Sequence, residues 1–418
     1  MAIQVVTAAG GSSKALSNSV RTRYTDIYEE NFFYKRLYDQ FASAPQAKPM
    51  AELSHGSSVQ FQFLSNMEPG TSTISEVNDI TPQALVDATA SLTPTSRGEA
   101  LQASEQLFLQ NFTQYPDQWS AILGENAAES VDLLAMQAAT QGSVVKRSAA
   151  RASLNAGTTA DRLSETSFMQ AAAMFQEFKP PAFVSPDGSV ERMAAVMSPM
   201  AYHDFREEAS SSVVQVGLYQ QAGIILNWEL GEYGPFRILV SPWAKVFGSA
   251  GADNASVIAT TLTTAVSRLA TTFTAASSVN FDAYLPGWIT IGTEETSDQP
   301  GTDYVDNERL WLSAFTTAST AAGNVVIGSG PNGGMRHGHD SAVAIRNADS
   351  VHAVVLGGPE SLAKIYAAEL GEFGQIVGPK MDGLVDQFIS LGFKWHGAYG
   401  RIADNRLMRL EVSSSEDA

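Results

Sequence analysis

Two stretches of sequence determine the fold: "SSVQFQFLSN" at residues 57–66 and "ASLTPTSRGEALQAS" at residues 90–104. The first alternates apolar and polar side chains, which predicts a strand with one face in water. The second is rich in Thr and Ser and favours an extended chain. The residues between them are polar and interrupted by Pro69, Gly70 and Pro82. Strand, long polar tip and returning strand together predict a projecting hairpin.

On the N-terminal side of this hairpin, residues 1–20 are small and polar and are predicted to be a flexible arm. The arm leads into "RTRYTDIYEENFFYKRLYDQFA", whose aromatic residues recur roughly at helical spacing. We expect a helix or arm that packs on a large surface.

On the C-terminal side, residues 118–142 give the strongest helical pattern, with Leu123, Ala127 and Val131 on one face and Gly142 as the stop. A second helix is predicted from "SETSFMQAAAMFQEF", which has a Ser/Thr start. "ERMAAVMSPMAYHDFREEAS" predicts a short buried strand that runs into a helix.

Residues 248–345 are rich in Thr, Ser, Ala and Gly and are predicted to be a mainly β insertion. Strands are expected at 288–291 and 325–327, separated by an acidic loop. One stretch has helix-like spacing, and its apolar residues are Ile258, Leu262, Val266, Leu269 and Phe273.

The last part of the chain is again regular. "GGPESLAKIYAAEL" at residues 357–370 predicts an amphipathic helix. Ile389, Leu391, Phe393 and Trp395 alternate with polar or small residues, and 407–412 form a second alternating run. We expect these two runs to make a closing antiparallel hairpin.

Composition restricts the function. The chain has 44 acidic and 26 basic residues, so its formal net charge is −18. Such a surface repels phosphate backbones, which argues against broad nucleic-acid binding. With no cysteine, disulfides, thiol catalysis and Cys-based zinc sites are excluded. The N-terminus lacks the pattern of a signal peptide and no run is long enough to cross a membrane, so we expect an intracellular product without a membrane partner.

Two motifs suggest chemistry, and a simpler interpretation is favoured for each. "IGSGPNGGMRHGHDS" at residues 327–341 places His337 and His339 two apart beside Asp340, as in a weak metal site. A zinc site needs further ligands, and no P-loop pattern is present, so we predict an outward-facing β-rich loop whose histidines need no ligand. Ser361 and Lys364 match S-x-x-K, but the companion motifs are missing. No catalytic, metal or cofactor site is therefore predicted.

The order of the segments carries a resemblance. It rests on "GSSVQFQFLSN", "VDATASLTPTSRGEALQASEQL", "ESVDLLAMQAATQG", "MAAVMSPMAYHDFREE", "LGEYGPFRILVSPWAKVF", "VVLGGPESLAKIY" and "ISLGFKWHGAYGRIADNRLMRLEVSS". In this order the chain resembles the major capsid protein of tailed bacteriophages, which has the Hong Kong 97-type fold. It is most similar to the subfamily related to the coliphage N-four capsid protein.

The resemblance implies an α+β fold with an N-terminal arm, an extended E-loop hairpin, a peripheral domain with a long spine helix, an axial domain and a mainly β insertion. The implied boundaries are 1–52 for the arm, 53–104 for the E-loop, 105–200 for the peripheral domain with its spine helix at 118–142, 201–247 and 346–388 for the axial domain, 248–345 for the insertion, and 389–418 for the return hairpin and tail.

The resemblance also implies a structural protein, not an enzyme, that forms the hexamers and pentamers of an icosahedral head. The head would enclose double-stranded DNA without sequence-specific binding. The implied partners are other copies of the chain, with room for a decoration or cement protein, a scaffold and a portal. The expected location is the virion, after assembly in the host cytoplasm. No Lys/Asn crosslinking pair can be matched.

Because subunits with a charge of −18 repel one another, assembly must depend on apolar contacts and local salt bridges. The candidates for contacts between subunits are Phe61 and Phe63, together with Arg21, Arg23 and Arg97. Two other functions stay open: an encapsulin-like compartment, which shares the fold, and a β-rich carbohydrate-binding or hydrolytic surface protein that uses the insertion.

Overall fold

The computed structural model describes most of the chain, in segments. They are residues 5–6, 15–16, 18–33, 36–42, 47–49, 58–64, 70, 87–106, 115–184, 191–208, 214–215, 229–253, 257–277, 279–284, 286–293, 295, 307–315, 323–327, 334–359, 361–367, 374–382, 387–401 and 404–415. The chain divides into two compact units. Unit 1 contains Met1–Arg36, Ala42–Leu134 and Leu362–Ile402, and unit 2 contains Leu37–Phe41, Ala135–Ser361 and Ala403–Ala418.

Five α-helices lie in the described residues: α1 Asn18–Phe33, α2 Tyr115–Thr140, α3 Glu165–Glu177, α4 Pro199–Glu208 and the short α5 Phe281–Tyr284. In this part of the chain no helix has the length and apolar character needed to cross a membrane. The predicted helices α2, α3 and α4 are confirmed, and α2 begins three residues before the predicted position. The segment from Arg21, predicted as a helix or an arm, is helical as α1, which begins at Asn18 inside the predicted flexible arm.

The strands are numbered along the chain. The first twelve are β1 Val5–Val6, β2 Ala15–Leu16, β3 Ala47–Pro49, β4 Val59–Leu64, β5 Asp87–Leu92, β6 Thr95–Ser104, β7 Val145–Lys146, β8 Phe183–Val184, β9 Glu191–Met197, β10 Val214–Gln215, β11 Glu229–Tyr233 and β12 Phe236–Val240. The remaining twelve are β13 Val246–Phe247, β14 Ala259–Thr261, β15 Thr272–Ala275, β16 Gly287–Ile291, β17 Glu308–Phe315, β18 Gly323–Ile327, β19 Ala344–Arg346, β20 Val351–Gly357, β21 Leu362–Tyr366, β22 Gln375–Asp382, β23 Phe388–Arg401 and β24 Leu407–Val412.

Unit 1 is built on the long strand β23. On one edge β23 pairs with β22 and then β21, and on the other edge it pairs with β6. The inward residues of β23 pack on helices α1 and α2, where the core contains Tyr28, Phe32, Leu123, Ala127, Ala128, Val131, Leu391, Phe393 and Trp395. The alternation predicted for residues 389–395 is therefore confirmed as the buried face of a strand.

Helices α1 and α2 approach closely at Gly124. A Cβ at this position would lie 2.6 Å from the carbonyl oxygen of Tyr28. A glycine inside a helix costs about 1 kcal/mol relative to alanine. Here it permits backbone contact between the two helices, so the cost is offset by packing.

Unit 2 is built on a central mixed sheet with the order β10-β11-β12-β9-β20-β24-β7, with β13 and β8 attached beside β20 and β9. Helices α3 and α4 cover one face through residues that include Phe168, Phe175 and Phe205. The predicted start of α3 is confirmed, because Ser164 caps it by accepting a hydrogen bond from the backbone N–H of Ser167. The strand–helix prediction for residues 191–208 is also confirmed.

A second sheet in unit 2 has the order β14-β19-β16-β17-β18-β15 and encloses its own apolar core. The strands predicted at 288–291 and 325–327 belong to it. The helix predicted from Ile258 to Phe273 is wrong, since this stretch forms β14, bridge residues and β15. Ile258, Leu262 and Phe273 are buried as expected, but the many Thr residues between them favour strands over a helix.

Two predictions near the C-terminus are corrected. The helix predicted within 357–370 is wrong, because Leu362–Tyr366 is strand β21 and is buried on both faces, so it lacks the polar face of an amphipathic helix. The closing hairpin is also wrong. Strands β23 and β24 both exist, but β23 pairs in unit 1 whereas β24 pairs with β20 and β7 in unit 2. Alternation of apolar and polar residues predicts a strand but does not predict which strand it pairs with.

Candidate assembly surface

The predicted hairpin begins with β4 and β5, which pair antiparallel from Val59↔Leu92 to Leu64↔Asp87. Phe61 lies opposite Ala90 in this ladder and is only 2% exposed within the single chain. Its candidate contact with another subunit stays a prediction, but its side chain already belongs to this chain's own packing. The side chain of Phe63 and the hairpin tip, apart from Gly70, lie outside the described residues.

The chain continues from β5 into β6, which projects most of its surface into water. Every residue of β6 is exposed or half-exposed. The strand is nevertheless paired along its whole length, because it forms an antiparallel ladder with β23 from Ser104↔Phe388 to Thr95↔Gly397. Arg97 is one of its exposed residues. Arg21 and Arg23, the other two candidate arginines, lie on α1 with side chains outside the described part.

The backbone of β6 has one paired edge and one open edge. The N–H of Glu105, just after the strand, donates to Gln387 at 2.8 Å. The carbonyl oxygen of Glu99 lies 2.8 Å from where a Cβ on Gly392 would be. Odd-numbered residues therefore direct their N–H and C=O groups to β23, and even-numbered residues direct theirs away from it. Among the described residues no strand pairs with this outer edge.

Unit 2 holds a buried cluster of charges around Glu411 on β24. Its carboxylate accepts from Arg151 at 2.6 and 3.1 Å, from Arg409 at 2.6 Å and from Arg147 at 3.1 Å. Four hydrogen bonds fill the lone pairs that a carboxylate offers. Burial alone would raise the pKa of Glu411, but the hydrogen bonds from Arg151 and the charges of the three arginines outweigh it and hold this pKa below its usual value.

Arg151 also contacts the backbone of a second acidic residue, Glu295, and an aromatic ring. Glu295 accepts from Lys245 Nζ at 2.5 Å and from the backbone N–H of Gly248 at 3.0 Å, and its own carbonyl accepts from Arg151 at 3.0 Å. The ring of Phe247 lies between cations, with the Arg151 guanidinium 4.0 Å from its centroid. This network connects segments that lie far apart in sequence.

The histidine-containing loop is organised by Glu308 at the start of β17. Its carboxylate accepts from the backbone N–H of Arg336 at 2.5 Å and of His337 at 3.1 Å, and it contacts His339 Nε2 at 3.2 Å. His339 is buried, which differs from the predicted outward-facing loop. Burial would raise the pKa of Glu308, but these three hydrogen bonds lower it overall. Glu308 thus links β17 to the backbone and the imidazole of this loop.

The S-x-x-K residues and a second polar pair are buried. Ser361 is fully buried, and its single O–H has the carbonyl oxygens of Gly358 and Arg406 within reach as acceptors. Lys364 is fully buried on β21. In unit 2, Ser198 lies 2.6 Å from His352 Nδ1, and both residues are buried. Because Ser361 and Ser198 are both buried, neither hydroxyl is accessible to a substrate, and both serines contribute to packing. Sequence reasoning did not identify the Ser198–His352 pair.

A third group, His203, Asp204 and Glu207 on α4, places three potential ligand atoms within 4.8 Å of one another. Asp204 already binds the backbone N–H of Ser415 at 2.9 Å and also the hydroxyl of that residue. Its role in the structure is to hold the C-terminal turn against α4.

Comparison with known proteins identifies the fold and no closer relationship. No family model matches the chain, and no curated protein matches it. Among solved structures the chain is similar to the capsid of Ralstonia phage GP4, with a TM-score of 0.53 and 11% identity over 91% of this chain and 92% of that chain. It is similar to the head structure of Helicobacter pylori bacteriophage KHP40, with a TM-score of 0.50 and 8% identity over 91% of both chains.

The chain therefore has the fold of bacteriophage capsid proteins. A chain of the SrpI encapsulin complex from Synechococcus elongatus is also similar over 89% of each chain, at 8% identity, but its TM-score of 0.41 is too low to support an argument.

Proposed function

We propose that this chain is the major capsid protein of a tailed bacteriophage, and that it self-assembles into the hexamers and pentamers of an icosahedral head around double-stranded DNA. The observation that carries the proposal is a capsid fold that extends over nine-tenths of both this chain and the GP4 capsid chain. The order of the motifs quoted above supports the coliphage N-four-like subfamily.

The described residues offer physical support. A projecting hairpin that continues into an exposed strand suits contact with neighbouring copies, because neither β5 nor β6 is covered by the described parts of its own chain along its whole length. The charged network around Glu411 links distant segments of unit 2 through buried hydrogen bonds. A net charge of −18 would let enclosed DNA move along the inner surface instead of adhering to it.

Electron microscopy of the expressed protein tests the proposal. We expect icosahedral shells or rings of capsomers, because the subunit contacts belong to the chain itself. A monomer under all assembly conditions would contradict the proposal, and a turnover or glycan-binding activity of that monomer would favour the surface-protein alternative. Cargo protein in place of DNA inside particles from infected cells would favour a compartment.

The role of the hairpin tip can be tested separately. Leu64 and Asp87 are direct partners at the end of the β4–β5 ladder. Residues 65–86 can therefore be replaced by an Asn-Gly turn without changing the register. We expect a folded subunit that fails to form shells. Normal shells from this variant would show that the hairpin tip does not lap a neighbour.

A further inference from the structure

The open edge of β6 is a surface that can pair with another strand. In the chain itself, the outward-facing residues Ser96, Gly98, Ala100 and Gln102 have backbone groups that no described strand satisfies. Long exposed edges are usually blocked by proline, lysine or a bulge. Strand β6, with the sequence "TSRGEALQAS", has none of these, and its register with β23 runs without a shift.

The charges on this strand have a symmetrical arrangement. Arg97 and Glu99 are both exposed, lie on either side of Gly98 and point to the same face of the sheet. The described part of the chain contains no ion pair for either residue. Because the two charges lie two residues apart, two antiparallel copies of the strand can place each arginine opposite a glutamate of the other copy.

We propose that β6 pairs antiparallel with β6 of a second copy of this chain, about a twofold axis at Gly98. In this register Arg97 faces Glu99 of the partner copy, and Glu99 faces Arg97 of the partner copy. The inference rests on the proposed self-assembly and specifies one of its contacts.

The backbone geometry allows this register, and the charges distinguish it from the other registers that the backbone allows. In an antiparallel ladder the outward-directed residues of one strand must face outward-directed residues of the other. Pairing Gly98 with Gly98 matches even-numbered residues to even-numbered residues, so Ser96 faces Ala100 of the partner copy. The charged residues then occupy the non-hydrogen-bonded pairs, where opposite side chains come closest. A shift by one residue would match outward-directed to inward-directed groups and lose the ladder.

Charge also explains why the occupant is a second copy. An edge with one positive and one negative charge is complementary to an antiparallel copy of itself. A partner of uniform charge would attract one of these residues and repel the other, with no net electrostatic stabilisation. Between subunits that each carry −18, two local ion pairs reduce repulsion at the contact. The paired area is far below the roughly 1,200 Å² of a stable two-protein interface. The contact is therefore weak in an isolated pair and acts together with others in an assembly.

Cysteine crosslinking of the full-length chain tests the register, since the chain has no cysteine of its own. A mixture of the Arg97→Cys and Glu99→Cys variants should form an intermolecular disulfide after mild oxidation. Each variant alone should form several-fold less, because identical positions lie too far apart for a disulfide bond in this register. The control mixture is Arg97→Cys with Ala103→Cys, which should not crosslink. Equal crosslinking in the control, or none in the test mixture, overturns the proposal.

Charge reversal tests the self-complementarity. Arg97→Glu or Glu99→Arg alone would create two like-charge contacts and should weaken association in sedimentation experiments by about tenfold. The double variant Arg97→Glu/Glu99→Arg should restore association. The matched control Glu177→Arg changes an exposed charge on α3 and should have little effect. Weakening by both single variants without rescue by the double variant would mean that β6 meets a different surface, which overturns self-pairing.

The two proposals can fail separately. Shells that form normally without the crosslink would refute the β6 pairing and leave the capsid function intact. A crosslinked dimer from a chain that never forms shells or rings would support the pairing and refute the capsid function.

Discussion

Glu411 binds Arg151 through both carboxylate oxygens, at 2.6 and 3.1 Å, although 260 residues separate them in sequence. Arg409 and Arg147 complete the ring of donors around this carboxylate. The interaction joins β24 to the segment that follows β7, and it places a charge cluster inside unit 2. Replacing Glu411 with a neutral residue removes the carboxylate that the three arginines share and leaves their positive charges without its compensation, which is the costly case for a buried ion pair.

We therefore expect Glu411→Gln to lower the free energy of unfolding by about 3 kcal/mol. Urea denaturation at neutral pH measures this, with Glu177→Gln on the exposed face of α3 as the control. Because the folded pKa of Glu411 is lowered, its contribution is present above the unfolded value of about 4.3 and is lost as pH falls through the folded pKa. The variant should lose less stability than the wild type over this acidic range. An unchanged stability at neutral pH would contradict the role of the cluster.

The buried His352 predicts a second dependence on pH. Burial and the charge of Arg309, opposed by Asp204, together lower its pKa to about 3. As pH falls below about 6.5, the unfolded chain takes up a proton that the folded chain excludes, so stability decreases by up to about 1.4 kcal/mol per pH unit until pH approaches 3. His352→Asn, which keeps an acceptor for the Ser198 hydroxyl, should have a smaller slope between pH 6 and 5. Equal slopes in calorimetry would refute this.

Phe61 and Arg97 were both predicted as contacts between subunits, and the structure predicts different phenotypes for them. Phe61→Ala removes a side chain that is 2% exposed in the single chain, so it should destabilise the subunit by about 3 kcal/mol or more. Arg97→Ala removes an exposed side chain and should change subunit stability by less than about 0.5 kcal/mol, while it reduces assembly. Thermal unfolding and particle yield, measured on the same preparations, separate the two effects. Destabilisation by Arg97→Ala would show an unrecognised role inside the subunit.

The loop around His339 should depend on the carboxylate of Glu308 and not on a bound metal. Glu308→Ala leaves His339 and two backbone N–H groups without their acceptor, and it should cost about 3 kcal/mol. The double variant His337→Ala/His339→Ala should bind the same amount of metal as the wild type in elemental analysis. A stoichiometric metal that disappears in the double variant would refute the assignment.

The sequence predicted the elements better than their partners. Helices α2 and α3 and strands β4, β16 and β23 were predicted because their apolar periodicity is local and their capping residues are adjacent. The helix expected between Ile258 and Phe273 failed because apolar spacing fitted a helix while the β-branched residues between favoured strands. For Glu411, the two charges inside the apolar strand "LMRLEV" indicate a buried ion pair. They do not indicate that Arg151 is one of the partners.

By itself the sequence determined the positions of helices α2 to α4 and of strands β4, β16 and β23, the net negative charge and the lack of thiol chemistry. Each follows from composition or from side-chain periodicity, which act within a few residues. Only the tertiary structure decided that β23 and β24 lie in different sheets, that His339 binds Glu308, and that three arginines meet at Glu411. These depend on contacts between distant segments, and such contacts form only when the packing of the whole chain fixes which strands and charges become neighbours.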